Sequence, residues 1–316
     1  MRAMAITAYG GPDRLKLVEL PIPTPGPDEV LIEITYTAVN PVDWKICAGQ
    51  LKDRFPNVFP IIPGWDAAGT VKAVGTSVAK FSGGERVFAY CRKPTIQWGT
   101  YAEYVAMNAA HVALMPKNLS FAEAAAIPLT GLTAWQSLFD CACLDTGRTV
   151  LIHAGAGGVG GMAVAFAHHV GAKVYATASR ANHDYVRARG ATAVIDYTAE
   201  DFVAALKRLE PEGVDVVFDT VGDDVYRASF AAVKRGGLVV SIRNQPDEAL
   251  NAKHGVRSGY VFVEPDGEEL GAIAYLLEQG AIKPPAIEEM RLEDAAAALE
   301  KNRARHMRGK IVLRIR

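Results

Sequence analysis

Residues 151–167 read LIHAGAGGVGGMAVAFA: an apolar run, a cluster of glycines, then a stretch of helical composition. Gly155, Gly157 and Gly160 satisfy the spacing G-x-G-x-x-G where the apolar run ends and the helical stretch begins. In a strand–turn–helix context each glycine has its own task. One permits the tight bend, the next lets backbone N–H groups approach a pyrophosphate, and the third lets the helix pack close to the strand. The helix N-terminus then faces the phosphates with its partial positive charge. The six residues Gly155, Ala156, Gly157, Gly158, Val159 and Gly160 are therefore expected to cradle a dinucleotide.

The sequence around this turn supplies the context the motif needs. The runs TVLIH, KVYAT, TAVID, VDVVFD, GLVVSI and GYVFV are short and apolar, and helix-compatible segments separate the earlier ones. In TAEDFVAALKRLEP, Phe202, Ala205, Leu206 and Leu209 fall at i, i+3, i+4 and i+7, with Thr198 as the expected N-cap. Strands alternating with helices of this length predict an α/β unit, a doubly wound parallel six-stranded sheet covered on both faces.

The first third reads differently. VLIEITYTAV, AAGTVKAVG, ERVFAY and TYAEYVAM are β-rich and separated by turn-rich stretches, which suggests an antiparallel, barrel-like unit. The character changes at NLSFAEAAAIP, where Ser120 and Glu123 have the spacing of a capping box. A chain of 316 residues exceeds what one core usually serves. Three segments are expected: 1–120, 121–283, and 284–316, the last returning through the strand KIVLRI to complete the first. A net charge of -1 supplies no general field for nucleic acid or an anionic membrane, so neither is expected as a partner. The N-terminus lacks a signal-peptide pattern and no apolar run is long enough to span a bilayer, which suggests a cytoplasmic protein. Cys141 and Cys143 form an isolated C-x-C, read as packing near a helix end.

The strand KVYAT decides which dinucleotide fits. An NAD site wants an acidic side chain at its end, for the ribose 2′-hydroxyl. The chain has instead Ser179 and Arg180, a hydroxyl and a guanidinium suited to a 2′-phosphate. NADPH is the expected cofactor.

These motifs, with AVNPVDWKICAG, IPGWDAAGTVKAVG, AAAIPLTGLTAWQSL, VFDTVGDD and RGKIVL in this order, carry a resemblance. The chain resembles the zinc-free medium-chain dehydrogenase/reductases of the quinone oxidoreductase (zeta-crystallin-like) branch, over essentially its full length. The resemblance implies a GroES-like β-barrel catalytic domain, completed by the C-terminal tail, with a Rossmann domain inserted. It implies that Asn40 lies next to the nicotinamide, Lys45 near the nicotinamide ribose at a proton-relay position, and Thr130 near the nicotinamide. It also implies that Tyr197 reaches the 2′-phosphate and that the backbone of Ile242 and Arg243 approaches the nicotinamide amide. Asn40 and Lys45 are the candidate catalytic residues. Arg308 and Lys310 fall beside the expected cleft and are read as solvated basic residues.

In the zinc-dependent relatives a Cys, a His and a later Cys or Asp hold a catalytic metal. Here the first position is Asn40, the His-Glu pair appears as Trp65-Asp66, and PLTGLTAW contains no cysteine. No four-cysteine cluster exists either, so no zinc is expected. Asp43 and Asp66 are read as loop aspartates that satisfy backbone N–H groups. Trp44, Trp65, Trp98 and Tyr101 serve equally as core or as the lining of a pocket for a planar acceptor.

Without a Lewis acid, hydride donation suits acceptors that are already electron-poor. Reduction of a quinone is the expected function. The alternatives are reduction of the C=C bond of α,β-unsaturated carbonyls, or NADPH binding without turnover in a sensor or structural role. If GYVFV lies at an open sheet edge, pairing with a second copy predicts a homodimer.

Overall fold

A computed structural model describes residues 1–304 and 307–316. The chain divides into two compact units, one of residues 1–129, 264–279 and 284–316, the other of 130–263 with 280–283.

In the first unit, β1 (Arg2–Ala5) pairs antiparallel with β2 (Lys16–Glu19). The main sheet contains β3 (Glu29–Ala38), β5 (Asp66–Val74), β6 (Arg86–Tyr90), β8 (Tyr104–Asn108), β9 (Val112–Leu114), β16 (Ile287–Arg291) and β17 (Lys310–Arg314). Its order is β16-β17-β3-β5-β6-β9, with β8 also on β3. All its pairings are antiparallel except β16 with β17, and β4 (Asn57–Ile62) and β7 (Ile96–Trp98) form a separate parallel pair. Val30, Leu31, Ile32 and Ile34 of β3 and Ile311, Val312 and Leu313 of β17 are buried, so these central strands are covered on both faces over much of their length. The C-terminal strand thus returns to the first unit, with Val312 opposite Ala38.

Helices α1 (Pro41–Cys47), α2 (Phe121–Ala125), α9 (Gly267–Glu278) and α10 (Ala295–Arg303) shape this unit, α10 lying beside α1. Ser120 caps α2 with the reciprocal Glu123 contact that its spacing predicted. The sequence reading placed α9 with the dinucleotide-binding part, whereas it groups with the first unit. The close approach of Gly267 explains the grouping: a Cβ there would lie 2.5 Å from the Ala110 carbonyl. Asn118 Nδ2 also donates to Leu277 O at 3.0 Å.

The second unit is a parallel sheet in the order β12-β11-β10-β13-β14-β15. Its strands are β10 (Thr149–Ile152), β11 (Lys173–Thr177), β12 (Ala193–Ile195), β13 (Val214–Asp219), β14 (Val233–Ser241) and β15 (Arg257–Tyr260). The connections are α4 (Gly158–His169), α5 (His183–Arg187), α6 (Phe202–Leu209), α7 (Asp223–Ser229) and α8 (Glu248–His254), and α3 (Pro128–Trp135) runs into a π-helical segment, Gln136–Cys141. The register sets Tyr175, Leu151, Val217 and Val239 in one row across four strands. With Leu206 and Phe230 they form a buried cluster, each such side chain contributing roughly 1.5–3 kcal/mol. The sheet order is that of a doubly wound dinucleotide fold.

Four local expectations are corrected. Asp201, not Thr198, caps α6: its Oδ1 accepts from Ala204 N at 2.8 Å, while Thr198 is spent on an Asx turn, donating N–H and hydroxyl to Asp196. Leu209, assigned to the apolar face of α6, is 46% exposed at its last turn. The sixth strand starts at Arg257, two residues before GYVFV, because its pairing with Leu238–Ser241 begins there. Cys143 is exposed rather than packed, at a positive φ of 48° just beyond the helical segment.

Candidate functional site

The glycine turn joins β10 to α4. Gly155 N donates to Thr177 O at 2.9 Å, which ties the turn to β11. A Cβ on Gly160 would lie 2.3 Å from the Ala154 carbonyl, so this glycine is what lets α4 start so close to the strand. A Cβ on Gly157 would meet only that same carbonyl, at 3.4 Å, so its outer side is open. Gly157 is also the N-cap of α4 and offers no side chain to it. The first-turn amides of Gly158, Val159 and Gly160 have no partner within the helix and suit an external anion.

His153, directly after β10 and two residues before Gly155, is a support that no motif in the sequence singles out. Its buried ring bridges Thr177 Oγ1 at 3.2 Å and Ser229 Oγ at 3.0 Å, and packs edge-on against Phe202. Burial pushes its imidazole down to about 4, so it is neutral at pH 7. Only a lone histidine at a strand end marks it in the sequence.

Ser179 and Arg180 follow β11. Arg180 is exposed, and Ser179 Oγ accepts from Asn182 Nδ2 at 3.1 Å. Tyr197 is 55% exposed in the turn after β12. After β14, Ser241 Oγ donates to Asp219 Oδ2 and accepts from Arg243 N. Ile242 N donates to Asp219 O. A contact from Ile242 or Arg243 to a bound amide would therefore use a carbonyl oxygen. Thr130, in α3, is buried.

In the first unit the surprise is a buried polar cluster. Asn40 precedes α1, with Pro41 as the first helical residue, and Asp43 Oδ2 accepts the Asn40 N–H at 2.8 Å. Tyr101 OH donates to the same Oδ2 at 2.9 Å. The missing side chain of Gly64, itself at a positive φ, makes room for that tyrosine, since a Cβ there would lie 2.3 Å from its ring. Asn40 Nδ2 donates to Asp66 Oδ2 at 2.7 Å, and Asp66 Oδ1 accepts from Leu129 N at 2.7 Å. Lys310 Nζ donates to Val39 O at 2.9 Å and to Asn40 Oδ1 at 2.5 Å, and stands 3.6 Å from Asp66 Oδ2.

Lys310 is thus not a solvated residue but is 5% exposed, carried inward by β17 beside β3. Arg308, two residues earlier, is exposed. Burial raises the Asp66 carboxyl, and the Lys310 ammonium and the hydrogen bonds oppose that rise. Burial lowers Lys310, opposed by Asp66 and Asp43. Burial also pushes Asp43 up to about 7, against the bonds from Asn40 and Tyr101 and the charge of Lys310. Asp43 Oδ1 is buried without a partner, an environment that penalises the anion.

Lys45 is half-buried on α1, its Nζ 5.6 Å from the Trp44 ring centroid. Trp65 and Tyr101 are buried core residues, Trp98 is 38% exposed, and the Trp44 Nε1 is buried without a partner. These placements leave Trp44 and Trp98 as the flat side chains not absorbed by the core.

Residues 26–117 match the alcohol dehydrogenase GroES-like domain and residues 189–313 a family described as zinc-binding dehydrogenase. The chain is 37% identical over 292 residues to the 2-methylene-furan-3-one reductase of Solanum lycopersicum, covering 90% of this chain and 71% of that one. It is 34% identical to the chloroplastic NADPH-dependent alkenal/one oxidoreductase of Arabidopsis thaliana, covering 99% and 79%. The structure of Escherichia coli quinone oxidoreductase complexed with NADPH superposes with a TM-score of 0.90 at 29% identity, covering all of both chains.

The zinc of the family description does not fit the residues present. A divalent cation at Asp66 would meet the Lys310 ammonium, and the Asn40 carbonyl oxygen is already taken by that ammonium. Among the described residues, no three His, Cys, Asp or Glu side chains are grouped to hold a metal. The chain belongs to the medium-chain dehydrogenase/reductases. Within them it falls in the zinc-independent, quinone oxidoreductase branch. No helix among the described residues is long and apolar enough to cross a membrane.

Proposed function

We propose that the protein is an NADPH-dependent reductase that transfers a hydride to an electron-poor small molecule, a quinone in the first reading. The observation that carries this is the α4 turn, open at Gly157 and flanked by Arg180 where an NAD site would hold an acid. Two relatives support the cofactor, one named for NADPH and one solved with it.

NADPH supplies the hydride when bound. The amides of Gly158, Val159 and Gly160 hold its pyrophosphate, with Gly155, Ala156 and Gly157 forming the bend. Arg180, Ser179 and Tyr197 hold its 2′-phosphate, the guanidinium offering paired donors to the phosphate oxygens. Thr130 and the carbonyls of Ile242 and Arg243 orient the nicotinamide end. Asn40 donates a hydrogen bond to the acceptor oxygen as negative charge develops on it. Lys45 would bind the nicotinamide ribose and relay a proton from solvent to the reduced acceptor, so that one hydride and one proton are added.

A second reading, reduction of a C=C bond conjugated to a carbonyl, is favoured by the names of the tomato and Arabidopsis relatives. The same hydrogen bond to the carbonyl oxygen serves both, because each reaction puts negative charge there. Initial rates of NADPH oxidation with benzoquinone, phenanthrenequinone, hexenal and pentenone separate them. A preference for the quinones supports the first, a preference for the alkenals the second, and no turnover with any of them rejects the reductase reading.

Among the described residues the end strand β15 pairs with β14 alone, leaving its other edge open. A second copy pairing there makes a homodimer. A monomeric mass at micromolar concentration would reject this arrangement.

A further inference from the structure

Asn40 has two amide ends, and the cluster leaves no ambiguity about which is which. An ammonium only donates and an ionised carboxylate only accepts. Lys310 therefore fixes Oδ1 and Asp66 fixes Nδ2, at 2.5 Å and 2.7 Å. A flipped amide would set its NH2 against the ammonium and its oxygen against the carboxylate. Two of the three protons on Lys310 go to Val39 O and Asn40 Oδ1, with Asp66 beside the third. One Nδ2 proton of Asn40 goes to Asp66, so one N–H of that amide is left over.

We infer that Lys310 and Asp66 are positioning residues that make Asn40 a hydrogen-bond donor of fixed orientation. This inference rests on the proposed role of Asn40 as donor to the acceptor oxygen. The ammonium on the carbonyl draws electron density from the amide nitrogen and the Asp66 carboxylate returns it, so the pair acts by fixing which end of the amide donates. The remaining N–H is thereby held on a nitrogen that cannot exchange places with the carbonyl oxygen. The pair costs desolvation that an apolar pair would not. Holding the orientation of one side chain is a use for that cost, and Lys310 comes from a strand 270 residues along the chain.

The test is the charge-balanced double variant K310Q/D66N, made beside N40A and the triple variant. Replacing both charges by neutral groups of similar size leaves no lone buried ion, so the double variant should fold. Its Asn40 amide is no longer held by opposite charges and can take either orientation. We expect NADPH affinity, followed by nicotinamide fluorescence, to match the wild type. We expect kcat to fall at least about tenfold, toward the roughly hundredfold loss of N40A, as for removal of one oxyanion donor. In the N40A background the two further changes should have no additional effect on kcat.

A double variant with wild-type kcat overturns the inference, as does an equal loss in both backgrounds. Failure of the charge-balanced variant to fold also overturns it, since the pair would then serve the fold. Absence of turnover in the wild type with every acceptor is the separate failure of the functional reading.

Discussion

Lys310 Nζ lies 3.6 Å from Asp66 Oδ2, and both side chains are buried. Removing one partner leaves the other as a lone charge in the core. Lys310→Met is expected to lower unfolding stability by about 3–5 kcal/mol, read from urea midpoints. The double variant K310Q/D66N should lose much less. Equal losses in the single and double variants would contradict the ion-pair reading.

The two glycines of the α4 turn should respond differently to the same change. Gly160→Ala forces a Cβ to 2.3 Å from the Ala154 carbonyl and should lower the thermal midpoint of the free protein by several degrees. Gly157→Ala places its Cβ at 3.4 Å and should leave that midpoint nearly unchanged. It should nevertheless weaken NADPH binding, because the methyl enters the space a pyrophosphate needs. Calorimetry with and without NADPH reads both effects.

Arg180 is expected to set the preference for NADPH over NADH. A charge-assisted hydrogen bond is worth about 1.5–3 kcal/mol, so Arg180→Ala should reduce the ratio of kcat/KM for the two cofactors by roughly tenfold or more. An unchanged ratio would assign the 2′-phosphate to other residues.

Asp43 predicts a pH dependence. Its carboxyl is raised to about 7 in the folded protein by burial, well above the ordinary value near 3.8. The folded state holds the proton more tightly than the unfolded one, so this contribution to stability is present below about 3.8 and is lost as pH rises through about 7. Wild-type stability should therefore fall relative to Asp43→Asn across that window. Parallel pH profiles of the two proteins would refute the shift.

Local signals were legible in the sequence and long-range ones were not. Ser120 and Glu123 could be paired because a capping box spans three residues, and the glycine turn because its partners lie in the next strand. The solvated reading of Lys310 failed for the opposite reason. A lysine after a glycine near the C-terminus carries no mark of burial until β17 sets it beside Asn40 and Asp66. The Thr198 cap failed on competition, since Asp196 captured that threonine and left the helix start to Asp201. Asn40 is marked in the sequence by the family resemblance alone. What the sequence could not supply is that its amide is held between an ammonium and a carboxylate.

The most direct measurement is the rate of NADPH consumption by chelator-treated protein with benzoquinone and with hexenal, NADH being run in parallel. Turnover that survives chelation, prefers NADPH and is not increased by added zinc is the predicted result. Activity that is lost on chelation and restored by zinc, or NADPH binding with no turnover of either acceptor, would contradict a zinc-independent reductase.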